Sequence, residues 1–239
     1  MGARARGGAG VGRVLVVVAH PDDAEFGCAG SVAHWIREGR QVAYLVATTG
    51  DKGSDDPAMT SERLATIREA EQLRATQVLG VDPVIFLRYP DGELEDTREF
   101  RREVVRAIRR FRPERLVTTT PLPTLNLYAG HRDHRTAGRV ALDAVYPYAR
   151  DHLHFPELLA EGLAPHKVLE VYLMGHDEPD LWVDISETLE LKLKALRCHA
   201  SQFSDPEAVE ARVRQRAAEL GQAKGIAWAE AFKRIQLPR

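Results

Sequence analysis

The stretch VLVVVAHPDDAEFGCAG, residues 14–30, joins an apolar run to a polar loop and then to a segment rich in small residues. The run at 13–19 is rich in β-branched residues, which is typical of a strand buried on both faces of a parallel sheet. A helix is predicted at 27–38, with Gly39 as its C-terminal stop. Open α/β sheets bind ligands beyond the carboxyl ends of their strands, so the polar loop lies where a ligand site is expected.

This loop lacks the glycine pattern of a phosphate-binding site. G-x-G-x-x-G would indicate a dinucleotide and G-x-x-x-x-G-K-[ST] a P-loop, and the sequence has neither. The loop instead presents His20, Asp22 and Asp23, whose imidazole and carboxylates suit a borderline cation such as zinc. The alternative interpretation is structural: the two aspartates stabilise a helix N-terminus, and His20 ends the strand.

The same alternation of strand and helix continues along the chain. Helices are predicted at 61–79, closed by Gly80, at 97–111 and from about 131, between strands at 41–48, 84–87 and 115–120. This order predicts an α/β fold with a Rossmann-like, mostly parallel sheet and helices on both faces. Beyond residue 149 we predict strands at 167–174 and 181–185, a helix at 187–200 and a mostly helical tail at 205–239. In that tail, AEAFKRI is an alternative edge strand.

Length and composition predict one soluble domain. The 239 residues suit a single domain, 13–239, preceded by a flexible, glycine-rich tail, 1–12. The formal charge of -2 gives no indication of nucleic-acid binding, and no run approaches the ~18–20 apolar residues of a membrane span. Two cysteines, Cys28 and Cys198, provide no disulfide framework, so we expect a cytoplasmic location.

A second polar cluster, AGHRDHRTAG at 129–138, follows the predicted strand at 115–120. His131 and His134 are spaced i, i+3, so a helix would place them on neighbouring parts of one face. Asp133 lies beside them as a candidate partner for one ring. The alternative is a helix N-terminus with two solvated histidines. Because both clusters follow strands of one sheet, they can meet in space and supply the three ligands of a catalytic zinc site.

At this point the chain resembles the PIG-L/LmbE-like family of zinc-dependent N-deacetylases. One departure from the family pattern is that Ala24, and not an acid, directly follows the aspartate pair, with Glu25 one position later. The resemblance rests on AHPDD at 19–23, IREAEQLRATQVLGV at 67–81, YPDGEL at 89–94, HRDH at 131–134 and VDISETLELKLKALRCHASQ at 183–202.

The resemblance implies one Zn²⁺ per chain, held by His20, Asp23 and His134, with other divalent metals compatible. It also implies that Asp22 is the general base. Spacing alone does not decide which aspartate binds the metal and which takes the proton.

The remaining candidate residues also come from the resemblance. His131 would stabilise the oxyanion, and Asp133 would hold the tautomer of His131 and favour its charged form. Arg68 and Asp91 would bind sugar hydroxyls of the substrate. Without the resemblance, Arg68 would be interpreted as an exposed helix residue and Asp91 as part of an Asp-Gly turn. His199 is expected to have a structural or pocket-wall role, and the loop at 48–56 is given none.

These implications predict hydrolysis of the N-acetyl group of an N-acetylglucosamine-containing small molecule, which releases acetate and a free amine. One alternative keeps the machinery and cleaves a larger thiol- or natural-product-conjugate amide. Alternatives of other classes are a sugar-binding α/β module without catalysis and a two-metal phosphoesterase, although the latter needs more bridging ligands. The aglycone is open, as is the oligomeric state. Residues 150–239 are candidates either to close the pocket or to form the interface of a homo-oligomer, and the sequence does not decide between the two. We expect no nucleic-acid or membrane partner.

Overall fold

A mixed seven-stranded sheet organises the chain in the computed structural model, which describes residues 12–122 and 130–238. The strands are β1 (Arg13–Val18), β2 (Gln41–Thr48), β3 (Val84–Tyr89), β4 (Arg115–Thr119), β5 (Glu170–Met174), β6 (Leu181–Asp184) and β7 (Ala229–Gln236). The α-helices are α1 (Asp23–Gly27), α2 (Ala29–Arg37), α3 (Ser61–Leu79), α4 (Arg98–Phe111), α5 (Arg132–Val145), α6 (Pro156–Ala160), α7 (Leu189–Leu196) and α8 (Pro206–Gln222).

The sheet has the order β3-β2-β1-β4-β5-β7-β6. Strands β1 to β5 pair in parallel, whereas β7 is antiparallel to both β5 and β6. The chain moves outward in one direction from β1 to β3 and then returns to place β4 on the other side of β1. The strand order therefore reverses between β1 and β4, and the crevice beyond their carboxyl ends is the expected ligand position.

Both faces of the sheet are covered, as β1 shows most directly. Leu15 and Val17 pack into the core formed with α4 and α5, and Val14 and Val16 pack into the opposite core with α2 and α3. All four side chains are fully buried, which explains the continuous apolar run in the sequence. The predicted fold class, a mostly parallel α/β sheet with helices on both faces, is confirmed.

The helix predicted at 27–38 is confirmed as α2, Ala29–Arg37, whereas the short helix α1 that precedes it, Asp23–Gly27, was not predicted. A buried carboxylate binds the N-terminus of α2. The carboxylate of Glu230 accepts hydrogen bonds from the backbone N–H groups of Gly30 and Ser31 at 3.1 and 2.7 Å, and it pairs with the Lys192 ammonium at 2.5 Å. Glu230 lies on β7, far away in sequence, so the local pattern predicted this helix start but not its partner.

The C-terminal prediction needs two corrections. AEAFKRI does form a strand, but β7 lies between β5 and β6, and β6 is the edge strand. The predicted helix at 187–200 is shorter, because α7 ends at Leu196 and a separate 3₁₀ turn follows at Ala200–Gln202. The predicted tail at 1–12 lies, apart from Gly12, outside the described residues. None of the helices in 12–122 and 130–238 has the length and hydropathy needed to cross a membrane.

Helix α5 approaches the sheet unusually closely at Gly138. A methyl group on Gly138 would lie 2.1 Å from the carbonyl oxygen of Thr119 at the end of β4. Glycine is therefore required by packing, because any side chain would separate α5 from β4. This contact fixes the distance between α5 and the sheet, and the N-terminal turn of α5 carries the second polar cluster.

Gly138→Ala separates two opposing effects. Helix propensity alone predicts a gain of ~1 kcal/mol, but the clash with Thr119 is expected to cost more, toward the upper end of the ~1–3 kcal/mol typical of overpacking. We expect a lower free energy of unfolding by urea denaturation. Arg139→Ala, at an exposed neighbouring position, is the control and should change stability by less than ~0.5 kcal/mol. Stabilisation by Gly138→Ala would contradict the close approach.

Candidate active site

The two polar clusters meet at the point where the strand order reverses. His20 follows β1 directly, and His131 and His134 lie at the start of α5, which follows β4. The imidazole centroid of His20 is 4.9 Å from that of His131 and 5.0 Å from that of His134. The topology thus brings together side chains separated by more than 100 residues.

The three predicted metal ligands have converging donor atoms. Nδ1 of His20 lies 3.1 Å from Nε2 of His134, which lies 3.0 Å from Oδ1 of Asp23. The third separation, from His20 Nδ1 to Asp23 Oδ2, is 3.6 Å. Two ligands bound at ~2.1 Å to a tetrahedral ion lie ~3.4 Å apart. The donor set and its spacing therefore fit a tetrahedral metal ion with two nitrogen ligands and one oxygen ligand.

Backbone hydrogen bonds orient the carboxylate of Asp23. Its Oδ2 accepts hydrogen bonds from the backbone N–H groups of Ala19 and His20, at 3.1 and 2.8 Å, while Oδ1 faces His134. Burial tends to raise the pKa of Asp23, but the neighbouring imidazoles outweigh burial and hold it well below its usual range. Asp23 is therefore held as a carboxylate.

The far side of His20 faces two further carboxylates. Its Nε2 lies 2.9 Å from Oδ1 of Asp91 and 3.4 Å from Oδ2 of Asp133. Burial lowers the pKa of His20, but the contacts with Asp133, Asp23 and Asp91 outweigh burial and raise the pKa to about 12. A ring with one nitrogen toward the ligand cluster and the other toward a carboxylate has the arrangement of a carboxylate–histidine–metal unit. Two groups of three residues in the described part of the chain have donor atoms within 4.8 Å of one another: His20 with Asp91 and Asp133, and His20 with His131 and His134. Both groups contain His20, and neither contains Asp23.

Asp133 does not contact His131 in the predicted manner. Its buried carboxylate accepts hydrogen bonds from the backbone N–H groups of Gly92 and Leu94, at 2.7 and 3.3 Å. The bond to His131 comes instead from the backbone N–H of Asp133, which donates to Nδ1 at 3.2 Å. Because Nδ1 is the acceptor, the proton of a neutral His131 ring lies on Nε2. The tautomer is set by helix capping and not by the carboxylate.

Asp22 occupies a strained turn between the loop and α1. Its backbone has φ 92° and ψ -23°, a conformation that costs a residue with a side chain ~1–3 kcal/mol. Its carboxylate makes no capping bond to α1 and contacts Nη2 of Arg68 at 3.1 Å. Burial raises the pKa of Asp22, and although Arg68 opposes this, the pKa is about 6. A carboxylate with a pKa near neutrality suits a general base.

Arg68 reaches the site from α3, but its guanidinium already contacts protein acceptors. Nη2 donates to the carbonyl of Pro21 at 2.6 Å, and Nη1 donates to the carbonyl of Gly50 at 3.0 Å. The residue is 5% exposed. These contacts give Arg68 a supporting role beneath Asp22. Direct substrate contact by Arg68 or Asp91 stays a prediction.

Two groups of residues that support the site were not predicted as functional. Asp51 accepts hydrogen bonds from the Thr49 hydroxyl and the Asp91 backbone N–H, both at 2.8 Å, which ties the loop after β2 to the loop after β3. Gln72 and Glu25 are fully buried behind Asp22. The available signal was the position of Gln72 one helical turn after Arg68, on the same face of α3.

Comparisons with known proteins identify relatives of this chain. The family model described as "PIG-L: GlcNAc-PI de-N-acetylase" matches residues 15–145. Diacetylchitobiose deacetylase of Thermococcus kodakarensis is 36% identical over 225 residues, covering 93% of this chain and 83% of that protein. A probable N-acetyl-alpha-D-glucosaminyl L-malate deacetylase 2 of Bacillus anthracis is 29% identical, covering 80% and 81%.

Solved structures show the same fold. N,N'-diacetylchitobiose deacetylase from Pyrococcus horikoshii superposes with a TM-score of 0.88 at 31% identity, covering 94% of this chain and 84% of that one. A 4-carboxy-2-hydroxymuconate hydratase from Pseudomonas putida shares the fold, with a TM-score of 0.80 at 22% identity and coverage of 96% and 98%. The family match spans more than half of the 239 residues and includes both polar clusters. This chain belongs to the PIG-L family.

Proposed function

We propose that this protein hydrolyses the N-acetyl group of an N-acetylglucosamine-containing small molecule. The observation that carries the proposal is the convergence of His20, Asp23 and His134 beside Asp22, in a chain 36% identical to a diacetylchitobiose deacetylase. The reaction consumes one water molecule, breaks the amide C–N bond and releases acetate and the free amine. Diacetylchitobiose is the first substrate to test, because the deacetylase named for it aligns with 93% of this chain.

A metal ion is part of the proposal. PIG-L deacetylases are metal-dependent, and the separations among the donors of His20, Asp23 and His134 support one ion per chain. Two imidazoles and one carboxylate favour zinc, while other divalent ions remain compatible. When bound, the cation supplies polarisation of the amide carbonyl and makes water more acidic. Both cysteines are free, which supports the proposed cytoplasmic location.

Side chains of the protein transfer the proton and stabilise the negative charge that develops on the substrate. Asp22 accepts a proton from the attacking water and returns it to the leaving amine. Arg68 holds the Asp22 carboxylate at 3.1 Å and limits its movement. His131, with Nδ1 occupied by the Asp133 backbone N–H, presents Nε2–H as a donor to the negative charge that develops on the carbonyl oxygen.

The proposed activity is tested by acetate release from metal-stripped protein with and without added zinc. The panel contains N-acetylglucosamine linked to inositol, to malate, to a second sugar and to simple alcohols. Zinc-dependent release from any member is expected and would rank the aglycones. If protein with one bound zinc releases no acetate from any of them, the reaction is a different one, such as cleavage of a larger conjugate amide. Failure to bind any divalent metal would overturn the proposal.

The assigned roles predict different losses for two variants. Asp22→Asn should retain the metal and lower kcat by ~10²–10⁴-fold, because it removes the base but not a ligand. His134→Ala should lose metal and activity together, because two remaining ligands bind weakly. Metal content by elemental analysis and kcat by acetate release are measured on the same samples. Equal metal loss in both variants would contradict the division of roles.

Metal binding should release a proton from His20. The pKa of His20 is raised from 6.5 to about 12, so the charged ring stabilises the metal-free fold fully below pH 6.5, and this contribution falls steadily as the pH rises from 6.5 to about 12. A metal ion must displace the proton on Nδ1, so we expect release of about one proton per zinc between pH 7 and 9. Calorimetric titrations in two buffers of different ionisation enthalpy measure the number. A value near zero would contradict the charged state of His20.

A further inference from the structure

The peptide group between Pro21 and Asp22 is held at both ends by one helix. The carbonyl oxygen of Pro21 accepts a hydrogen bond from Nη2 of Arg68 at 2.6 Å. The N–H of Asp22, on the other edge of the same peptide plane, donates to Oε1 of Gln72 at 3.0 Å. Arg68 and Gln72 are four residues apart on α3, so they lie on the same face. Two side chains therefore fix the rotation of one peptide plane.

The amide of Gln72 is itself fixed by a buried carboxylate. Its Nε2 donates to Oε1 of Glu25 at 3.0 Å, so the amide oxygen must point toward Asp22. The other oxygen of Glu25 lies 3.3 Å from Nε2 of His199. Gln72, Glu25 and His199 are all fully buried, which keeps water from competing for these contacts. The chain of contacts thus extends inward from Asp22 to residues that no solvent reaches.

The backbone conformation of Asp22 links these hydrogen bonds to the orientation of its carboxylate. Asp22 has a positive φ that its side chain disfavours, and its carboxylate makes no capping bond to α1. Without an external hold, the peptide plane would be free to rotate toward a relaxed conformation, and the carboxylate would turn with it. The hold on both edges of the plane opposes that rotation.

We propose that Gln72 is a positioning residue that keeps the Asp22 carboxylate in its reactive orientation, with Glu25 fixing the direction of the Gln72 amide. The inference rests on the proposed function, because it concerns the proposed base of that reaction. Gln72 touches no metal ligand in the described contacts, and its effect passes through the backbone of Asp22.

Gln72→Met tests the proposal, because methionine keeps the length of the side chain and removes both hydrogen bonds. We expect kcat to fall by about 10- to 100-fold, with KM and bound metal unchanged, since a small misplacement of a catalytic group has effects of that size. Thr76→Val is the matched control. It removes a buried hydroxyl one turn further along α3, which donates a hydrogen bond to the carbonyl of Leu73. The control should retain the wild-type kcat even if its melting temperature falls.

A reciprocal exchange separates positioning from general destabilisation. Gln72→Glu alone places two carboxylates together and should lower kcat. The double variant Glu25→Gln with Gln72→Glu places an amide donor at position 25 opposite a carboxylate acceptor at position 72. The second carboxylate oxygen at position 72 can accept the Asp22 N–H, so the double variant should recover at least part of the kcat lost in Gln72→Glu. Lack of recovery in a folded, metal-loaded double variant, or an unchanged kcat in Gln72→Met, would overturn the proposal.

Crystal structures of the wild type and Gln72→Met provide a readout that does not depend on the substrate. The expected result is a rotated Pro21–Asp22 peptide and a displaced Asp22 carboxylate in the variant. An unchanged Asp22 would overturn the positioning role even if the wild type deacetylates every substrate of the panel. A wild type that deacetylates none would instead count against the proposed function, and the peptide rotation would still test Gln72.

Discussion

The negative charge around one buried imidazole is the constraint on which the site depends. Asp23, Asp91 and Asp133 all approach His20, and they come from three different segments of the chain. Carboxylates this close repel one another in a poorly solvated environment unless a positive charge lies among them. A proton on His20 supplies that charge in one state and a bound cation in another. The same cluster therefore favours metal binding and holds three loops against each other.

The loops keep this arrangement through backbone contacts more than through direct contacts between side chains. The Asp133 carboxylate accepts hydrogen bonds from the backbone N–H groups of Gly92 and Leu94, and the Asp51 carboxylate accepts one from that of Asp91. Carboxylates that accept backbone hydrogen bonds are fixed in direction, which preorganises the groups that face His20. The fold supplies the rest, since β1 and β4 end side by side at the reversal of strand order.

Much of the architecture could be predicted from the sequence because its signals are local. Periodicity and spacing predicted the buried strand β1, the helix α3 with its stop at Gly80, and the two polar clusters. The carboxylate that binds the N-terminus of α2 could not be predicted, because Glu230 comes from β7, about 200 residues away. Likewise, the contacts of Asp133 and Gln72 depend on which loops the tertiary fold brings near them. Long-range partners of this kind leave no mark on a local pattern.

The fold alone does not determine the reaction, since a hydratase shares it at 22% identity. What can distinguish a deacetylase is the placement of the proposed base, Asp22, relative to the proposed metal ligand, Asp23. These residues are adjacent in sequence, and the backbone turns between them so that their carboxylates have different partners. The positive φ of Asp22 provides that turn: Asp23 faces His134 and Asp22 faces Arg68. The proposed division of roles between the two aspartates therefore depends on the strained backbone of Asp22, which the buried contacts of α3 hold in place.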